Sequence, residues 1–251
     1  MNQDLQPLIR QLLPRKVRRQ RILGGQLRGK YIFTSWYNYP RAILGRAEPQ
    51  LLNWFAKRVK LGETWLDIGA YCGYTSLALC HYVGESGRVF AFEPLISTAG
   101  HLAATKTANH LEQLVVVPFA LGDVEQLTVQ KMCDIRGMAQ RGTPQQDGGE
   151  LVYVIALDQL WKQLCSTNEQ ISGVKIDVQG MELNVLRGMT SLLRKYRPKL
   201  AVEIHSGVNR NELLDLVKSA GYVPEGRPIE PLPGELEAQY YDDKSYEFVP
   251  I

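Results

Sequence analysis

The 251-residue sequence contains no apolar run near the ~18 residues that a membrane-crossing helix requires. Its first residues, Met-Asn-Gln-Asp, lack the basic-then-apolar order of a secretion signal. The four cysteines form no CxxC pair and no Cys/His group of zinc-like spacing, which argues against a disulfide framework and a thiolate metal site. Reduced thiols in a cytoplasmic protein are expected. Internal repeats and low-complexity runs are missing, as is the G-x-G-x-x-G of a dinucleotide binder.

Net charge is small, +3, but unevenly spread. Residues 1–30 hold eight basic residues (Arg10, Arg15, Lys16, Arg18, Arg19, Arg21, Arg28, Lys30) against one acid, Asp4, so the remaining chain carries an excess of acid. Any attraction to a polyanion or an anionic lipid surface is therefore expected from an N-terminal arm and not from the body of the protein.

Apolar content of 45% suits one substantial α/β core with a short extension. Leu5, Leu8, Ile9, Leu12 and Leu13 follow helical spacing up to Pro14. Extended pieces at 20–23 and 30–35 flank Gly24-Gly25 and Gly29, which predicts a hairpin, and a helix is expected over 49–58. From Thr64 onward strands and helices alternate: strands at 64–68, 88–92, 114–117, 173–177 and 198–204, and helices at 75–83, 97–109 (capped by Ser97), 181–193 and 211–220 (capped by Asn211). Two last strands, near 222–223 and 246–249, make seven. The pattern predicts a mostly parallel sheet whose last strand is antiparallel, with ligands beyond the strands' carboxyl ends. Residues 1–60 are expected to form a helix, hairpin and helix extension, and residues 61–251 the principal domain. Between two further strands, 124–131 and 151–155, a polar loop at 134–150 breaks the rhythm. Together with the N-terminal segment it is expected to cover a pocket.

Four places carry the chemistry. Asp67-Ile68-Gly69-Ala70-Tyr71-Cys72-Gly73 ends the first of the alternating strands with a G-x-x-x-G turn and a helix start, where free N–H groups meet a ligand. This spacing suits a ligand with an amino-acid carboxylate better than a pyrophosphate, though glycines at a tight turn would look the same. Glu93, 24 residues after Gly69, ends the second strand, where an acid accepts from a ribose diol. Phe119-Ala120, after the third, mark the place of an adenine ring or ordinary core packing. Asp177 closes the fourth strand facing the reaction centre, and Glu182 is either functional or an acid favoured by a helix dipole. At the end of the fifth, Glu203 and His205 share one side by alternation. A buried, satisfied histidine is the plain alternative.

In order along the chain, Gly45-Arg46-Ala47-Glu48-Pro49, Asp67-Ile68-Gly69-Ala70, Gly87-Arg88-Val89-Phe90-Ala91-Phe92-Glu93-Pro94, Ala120-Leu121-Gly122-Asp123, Leu157-Asp158, Lys175 to Glu182 and Glu203-Ile204-His205 resemble the FkbM family of methyltransferases. The resemblance runs from about Gly45 to the C-terminus. It implies an α/β, Rossmann-like class I methyltransferase sheet and S-adenosylmethionine-dependent O-methylation of a small molecule, sugar, glycan or natural-product scaffold. It further implies that Asp67, Gly69 and Glu93 hold the cofactor, with Glu48 near the same pocket. The expected cofactor-binding set is Glu48, Asp67, Gly69, Ala70, Tyr71, Gly73, Glu93, Pro94, Phe119, Ala120 and Asp177. Two departures stand out: Gln179 where the family usually has Glu, and Tyr71-Cys72 where it often has Asn-Val or His-Val.

Methyl transfer to a hydroxyl is an in-line displacement that needs alignment and a nearby base. His205 is the first choice for that base, Asp177 orients the acceptor or stabilises the sulfonium, and Glu203 is held in reserve. No metal is expected, although Asp177, Glu203 and His205 are donors of the kind that hold Mg²⁺ or Mn²⁺. Other readings are a nucleic-acid methyltransferase, a dinucleotide-linked oxidoreductase and a non-catalytic cofactor-binding protein. Basic charge confined to the arm and the missing Asn/Asp-Pro-Pro-Tyr/Phe motif speak against the first.

Overall fold

A computed structural model describes residues 11–135, 138–141, 149–165, 169–235 and 237–251; the helix expected before Pro14 lies almost wholly outside them. The polypeptide opens with an antiparallel hairpin, β1 (Arg18–Arg21) and β2 (Tyr31–Thr34), then α1 (Pro40–Ile43) and α2 (Pro49–Arg58). Two arginines of the basic arm stack on aromatic rings, Arg15 over Tyr37 at 4.7 Å and Arg19 over Tyr31 at 4.9 Å, so this charge is partly tied to the hairpin region.

The main sheet follows: β3 (Thr64–Ile68), α3 (Tyr74–Val83), β4 (Arg88–Phe92), α4 (Ile96–Ala108) and β5 (Leu114–Val117). After a side excursion through β6 (Ala120–Leu121), β7 (Thr128–Ile135), β8 (Met138–Arg141), β9 (Glu150–Ile155) and α5 (Leu157–Leu164), the chain returns to it. It does so through β10 (Ile171–Ile176), α6 (Glu182–Arg187), α7 (Thr190–Tyr196), β11 (Lys199–Ile204), α8 (Arg210–Ser219), β12 (Arg227–Pro228) and β13 (Lys244–Phe248). The seven strands lie in the order β12-β13-β11-β10-β3-β4-β5, parallel except at β13, as the sequence predicts.

All five residues of β3 are buried because helices cover both faces, so alternate side chains feed two cores. Leu66 and Ile68 join Phe90, Val174 and Val202 on one face. Trp65 packs on the other with Phe55, Leu77 and the hairpin residue Ile32. The hairpin is further held by Asn109, whose Oδ1 accepts from Tyr31 N at 2.9 Å, and by Thr105 Oγ1, which accepts from Phe33 N at 3.0 Å.

Several local expectations need correction. The edge strand is Arg227–Pro228, not 222–223; Tyr222 instead bridges Pro250 and donates its hydroxyl to Pro198 O at 2.8 Å. Ser97 is no cap: its amide and hydroxyl bond Glu150, and Leu95 stands at the cap position. The cap of α8 is Asn209, whose Oδ1 accepts from Glu212 N. The helix expected over 181–193 breaks at Gly188-Met189, where Gly188 packs so closely on the Gly122 carbonyl that a Cβ would lie 1.8 Å from its oxygen. Asp158 then restarts it from outside, accepting from Ser191 N and Leu192 N at 2.9 and 3.0 Å. Within the expected 134–150 loop, β8 pairs antiparallel with β7, in a four-stranded sheet ordered β6-β9-β7-β8; residues 136, 137 and 142–148 lie outside the described part. Among the described residues no helix is long and apolar enough to cross a membrane.

β3 and β10 pair with an irregularity beside Gly173, where a Cβ would stand 2.3 Å from the Trp65 ring. Gly173→Ala is expected to lower stability by about 1–3 kcal/mol through overpacking. Urea titration should show a lower midpoint at unchanged slope.

Candidate active site

At the carboxyl ends of β3, β4 and β10 the chain encloses a cavity of about 400 Å³. It is bounded by the turn after β3, by the residues after β4 and β5, by the β10 exit, and by residues 38–41 and 47–48 of the N-terminal segment. Among the expected cofactor residues, Glu48, Gly69, Ala70, Tyr71, Glu93, Pro94, Phe119, Ala120 and Asp177 line it; Asp67 and Gly73 do not.

The glycines are required for a reason other than closeness to a ligand. Gly69 has φ +81°, and a Cβ there would lie 1.7 Å from Asp177 O; at Gly73, φ +94°, it would lie 2.5 Å from Leu102 Cδ1. Their missing side chains let the first-strand turn press against the β10 exit and let the residue ahead of α3 sit against Leu102 of α4. The turn is pinned by Gly69 N and Ala70 N, which both donate to Phe92 O at 3.0 Å, and by Asp177 N, which donates to Ile68 O at 3.0 Å.

Asp67 sits wholly buried behind this turn. Its Oδ2 accepts from Thr75 Oγ1 at 2.8 Å and Ser76 Oγ at 2.6 Å, while Oδ1 faces Lys175 Nζ at 3.2 Å. Lys175, 3% exposed, also donates to Gly69 O at 2.9 Å and pairs with Asp177 Oδ2 at 3.4 Å. Burial opposes its charge, yet Asp67, Asp177 and Glu203 outweigh this and raise the ammonium's pKa. Lys175 was absent from the expected set. Its sequence signal is a lysine inside an otherwise apolar buried strand, two residues before Asp177 and hence on the same side.

Glu93 is 4% exposed, and its oxygens accept from Tyr71 N at 2.9 Å and Leu95 N at 3.2 Å. Burial pushes its pKa up to about 7 against the pull of those amides. Three carboxylates around the cavity press on one another. Burial, then the charges of Asp177 and Glu230, raise Glu48; burial, then Asp177 and Glu48, raise Glu203. Three non-glycine residues of the lining hold left-handed backbone: Glu48 at φ 44°, Tyr71 at φ 51° and Gln179 at φ 54°, a kind of strain that collects at functional sites. Tyr39 stacks near Tyr71 and Tyr74, with ring centroids 5.6 and 6.0 Å away; none of the sequence signals pointed to Tyr39 or Tyr74.

Asp177 and Glu203 reach the cavity, whereas His205 stands beside it, 7% exposed. Both its ring nitrogens are engaged: Nδ1 with Glu182 Oε1 at 2.7 Å, Nε2 with the Gln179 side-chain amide at 2.8 Å. Desolvation works against its charge, but the Glu182 hydrogen bond and the nearby Asp177 outweigh that and raise its pKa.

A parallel sheet in this order, with a glycine turn after its central strand, a buried acid after the next and a cavity between them, defines a class I S-adenosylmethionine-dependent methyltransferase. The chain belongs to the methyltransferase FkbM domain family, whose model matches residues 67–224. Hexuronic acid methyltransferase AglP of Haloferax volcanii is 27% identical over 177 residues, 70% of this chain and 70% of that protein. A crystal structure of methyltransferase FkbM from Methylobacillus flagellatus aligns with 83% of this chain at 16% identity and TM-score 0.49; this chain spans 52% of that one. Aeropyrum pernix fibrillarin, solved with natively bound S-adenosyl-L-methionine, shares the fold at TM-score 0.50 and 13% identity, over 94% of this chain and 88% of that one.

Removing Lys175 would leave the Asp67 carboxylate buried beside two hydroxyls only. Lys175→Met is expected to cost about 3–5 kcal/mol of stability. Denaturant unfolding of Lys175→Met, Asp67→Leu and the double variant should show the pair recovering most of that loss.

Proposed function

We propose that this enzyme is an O-methyltransferase that moves the S-adenosylmethionine methyl group to a hydroxyl of a sugar or similar polyhydroxylated acceptor, with hexuronic acid residues the first class to test. The observation that carries the reading is the meeting of Asp177 and Glu203 with Gly69 and Glu93 in one cavity. AglP, a relative named for its hexuronic acid substrate, supports the sugar class.

We assign the cofactor's ribose diol to Glu93, its amino-acid end to the turn from Gly69 to Gly73 with the free N–H groups at the start of α3, and its adenine to Phe119 and Ala120. The excess of carboxylate from Glu48, Asp177 and Glu203 suits a ligand carrying a sulfonium and an ammonium. Asp67 and Gly73 act from behind the wall, one anchoring Lys175 and the other seating α3. We place the chemistry in residues 61–251, with residues 38–48 of the extension closing the acceptor side.

In the reaction the methyl–sulfur bond breaks as the methyl–oxygen bond forms, S-adenosylhomocysteine leaves neutral, and the hydroxyl proton passes to a base. Sequence pattern favoured His205 for that base. Because both its nitrogens are engaged beside the cavity while Glu203 lines it, we give the proton to Glu203, with Asp177 orienting the acceptor and His205 holding the group together. Labelled methyl appearing on a uronic acid oxygen would support the reading; label on a ring nitrogen or on RNA would overturn it.

Glu203→Gln is expected to lower turnover about 10²–10⁴-fold with little change in cofactor affinity, as steady-state kinetics and calorimetry would show. Glu93→Gln should weaken cofactor binding about tenfold or more, since a charged acceptor of hydrogen bonds is worth ~1.5–3 kcal/mol. Because the Glu93 carboxyl is raised to about 7, with Lys175 and Asp67 as the other charges acting on it, its ionised fraction falls below that pH. Calorimetry on the parent enzyme should find affinity dropping from pH 8 to pH 6, and a flatter profile in Glu93→Gln.

A further inference from the structure

Three strand ends meet beside the acceptor side of the cavity. Around Nε2 of His205 stand Asp177 Oδ1 at 3.6 Å, Glu203 Oε1 at 3.6 Å and Asp243 Oδ1 at 4.0 Å. One donor atom each from Asp177, Glu203 and His205 lies within 4.8 Å of the other two, so a single ion at their centre would touch all three. Asp177 divides its oxygens: Oδ2 meets Lys175, and Oδ1 is left for this group. The Gln179 amide nitrogen sits in the middle, 2.8 Å from His205 Nε2 and 3.4 Å from Asp177 Oδ1. An amide NH₂ is as near to a cation as an uncharged side chain can offer, and it is held there by left-handed backbone at φ 54°.

A second observation comes from the other side of the imidazole. Glu182, at the start of α6, is wholly buried, and its Oε1 meets His205 Nδ1 at 2.7 Å while Oε2 has no hydrogen-bond partner. A carboxylate on the far nitrogen is how proteins fix the tautomer of a ligating histidine and aim Nε2 at a metal. The same Oε1 also accepts from Gly180 N at 3.0 Å, and keeping a carboxylate buried with its second oxygen unpaired is costly.

We propose that Asp177, His205 and one oxygen of Glu203 form a divalent-cation site of the hard, oxygen-rich type, suited to Mg²⁺ or Mn²⁺, with Gln179 displaced or turned to give its carbonyl oxygen and the second Glu203 oxygen kept for the acceptor's proton. The remaining coordination positions face the cavity and take two adjacent oxygens of the acceptor, a hydroxyl with its neighbouring hydroxyl or carboxylate. The acceptor's identity rests on the function proposed above; binding of the ion does not. Chelation of this kind selects polyhydroxylated or hydroxy-acid acceptors over isolated alcohols and phenols.

The test is a Mn²⁺ titration of the full chain followed by electron paramagnetic resonance of the free ion, with S-adenosylmethionine binding measured on the same samples. One Mn²⁺ per chain is expected, with a dissociation constant at or below about 10⁻³ M, the weak end for oxygen-ligand sites, and displaced by Mg²⁺. Glu203→Gln and His205→Ala should each weaken it at least ~10-fold, and Glu182→Gln, which removes no ligand, by ~10–100-fold. Retained cofactor binding in Glu203→Gln and Glu182→Gln certifies their fold. Absence of Mn²⁺ binding to the parent chain, or equal binding by those two variants, overturns the site. Loss of cofactor binding by the parent chain would strike instead at the function proposed above and leave the ion result standing.

Discussion

A single ammonium organises this candidate active site. Lys175, in the interior of β10, reaches across to the neighbouring β3 and holds Asp67, Asp177 and the Gly69 carbonyl at once. Each of these groups would be expensive to bury alone, because a charge or a carbonyl taken from water needs a partner. Held together they lock the turn after the central strand to the exit of the next. That lock sets the distance between the glycine turn on one side of the cavity and Asp177 on the other. Asp67 and Lys175 therefore act structurally, fixing the wall of the cavity.

Negative charge is the second constraint. Burial and the closeness of Glu48, Asp177 and Glu203 to one another raise the proton affinity of Glu48 and Glu203, even though Lys175 pulls both the other way and Arg41 does so at Glu48. Such an arrangement is costly in the free protein and is relieved when a cation enters. It is consistent with a sulfonium cofactor at one end of the cavity and a divalent ion at the other. Strain follows the same geography: Glu48, Tyr71 and Gln179 all take left-handed backbone where the lining must turn sharply.

Much of the fold was legible from local pattern. Runs such as Thr64–Ile68 and Arg88–Phe92 alternate with helical spacing, and this periodicity reports a parallel sheet because both faces of each strand are covered. Where local pattern misled, a distant contact had decided. The helix ends at a glycine that the close approach of Gly122 requires, Asp158 starts the next helix from another segment, and Glu150 draws Ser97 away from capping. The edge strand moved to Arg227–Pro228 because pairing with β13, not the apolar character of Tyr222-Val223, selects it.

By itself the sequence determined the alternation of strands and helices, the glycine turn after β3, and the acids at the ends of β4, β10 and β11. Those features are properties of residue type and spacing along the chain. Tertiary structure alone decided that Asp67 lies behind the wall, that Lys175 completes it, that residues 38–41 and 47–48 are the parts of the N-terminal segment that line it, and that His205 is engaged by Glu182 and Gln179. These depend on which strand ends become neighbours and how deeply each side chain is buried, and charge and hydrogen bonding act through such distances, not through position along the chain.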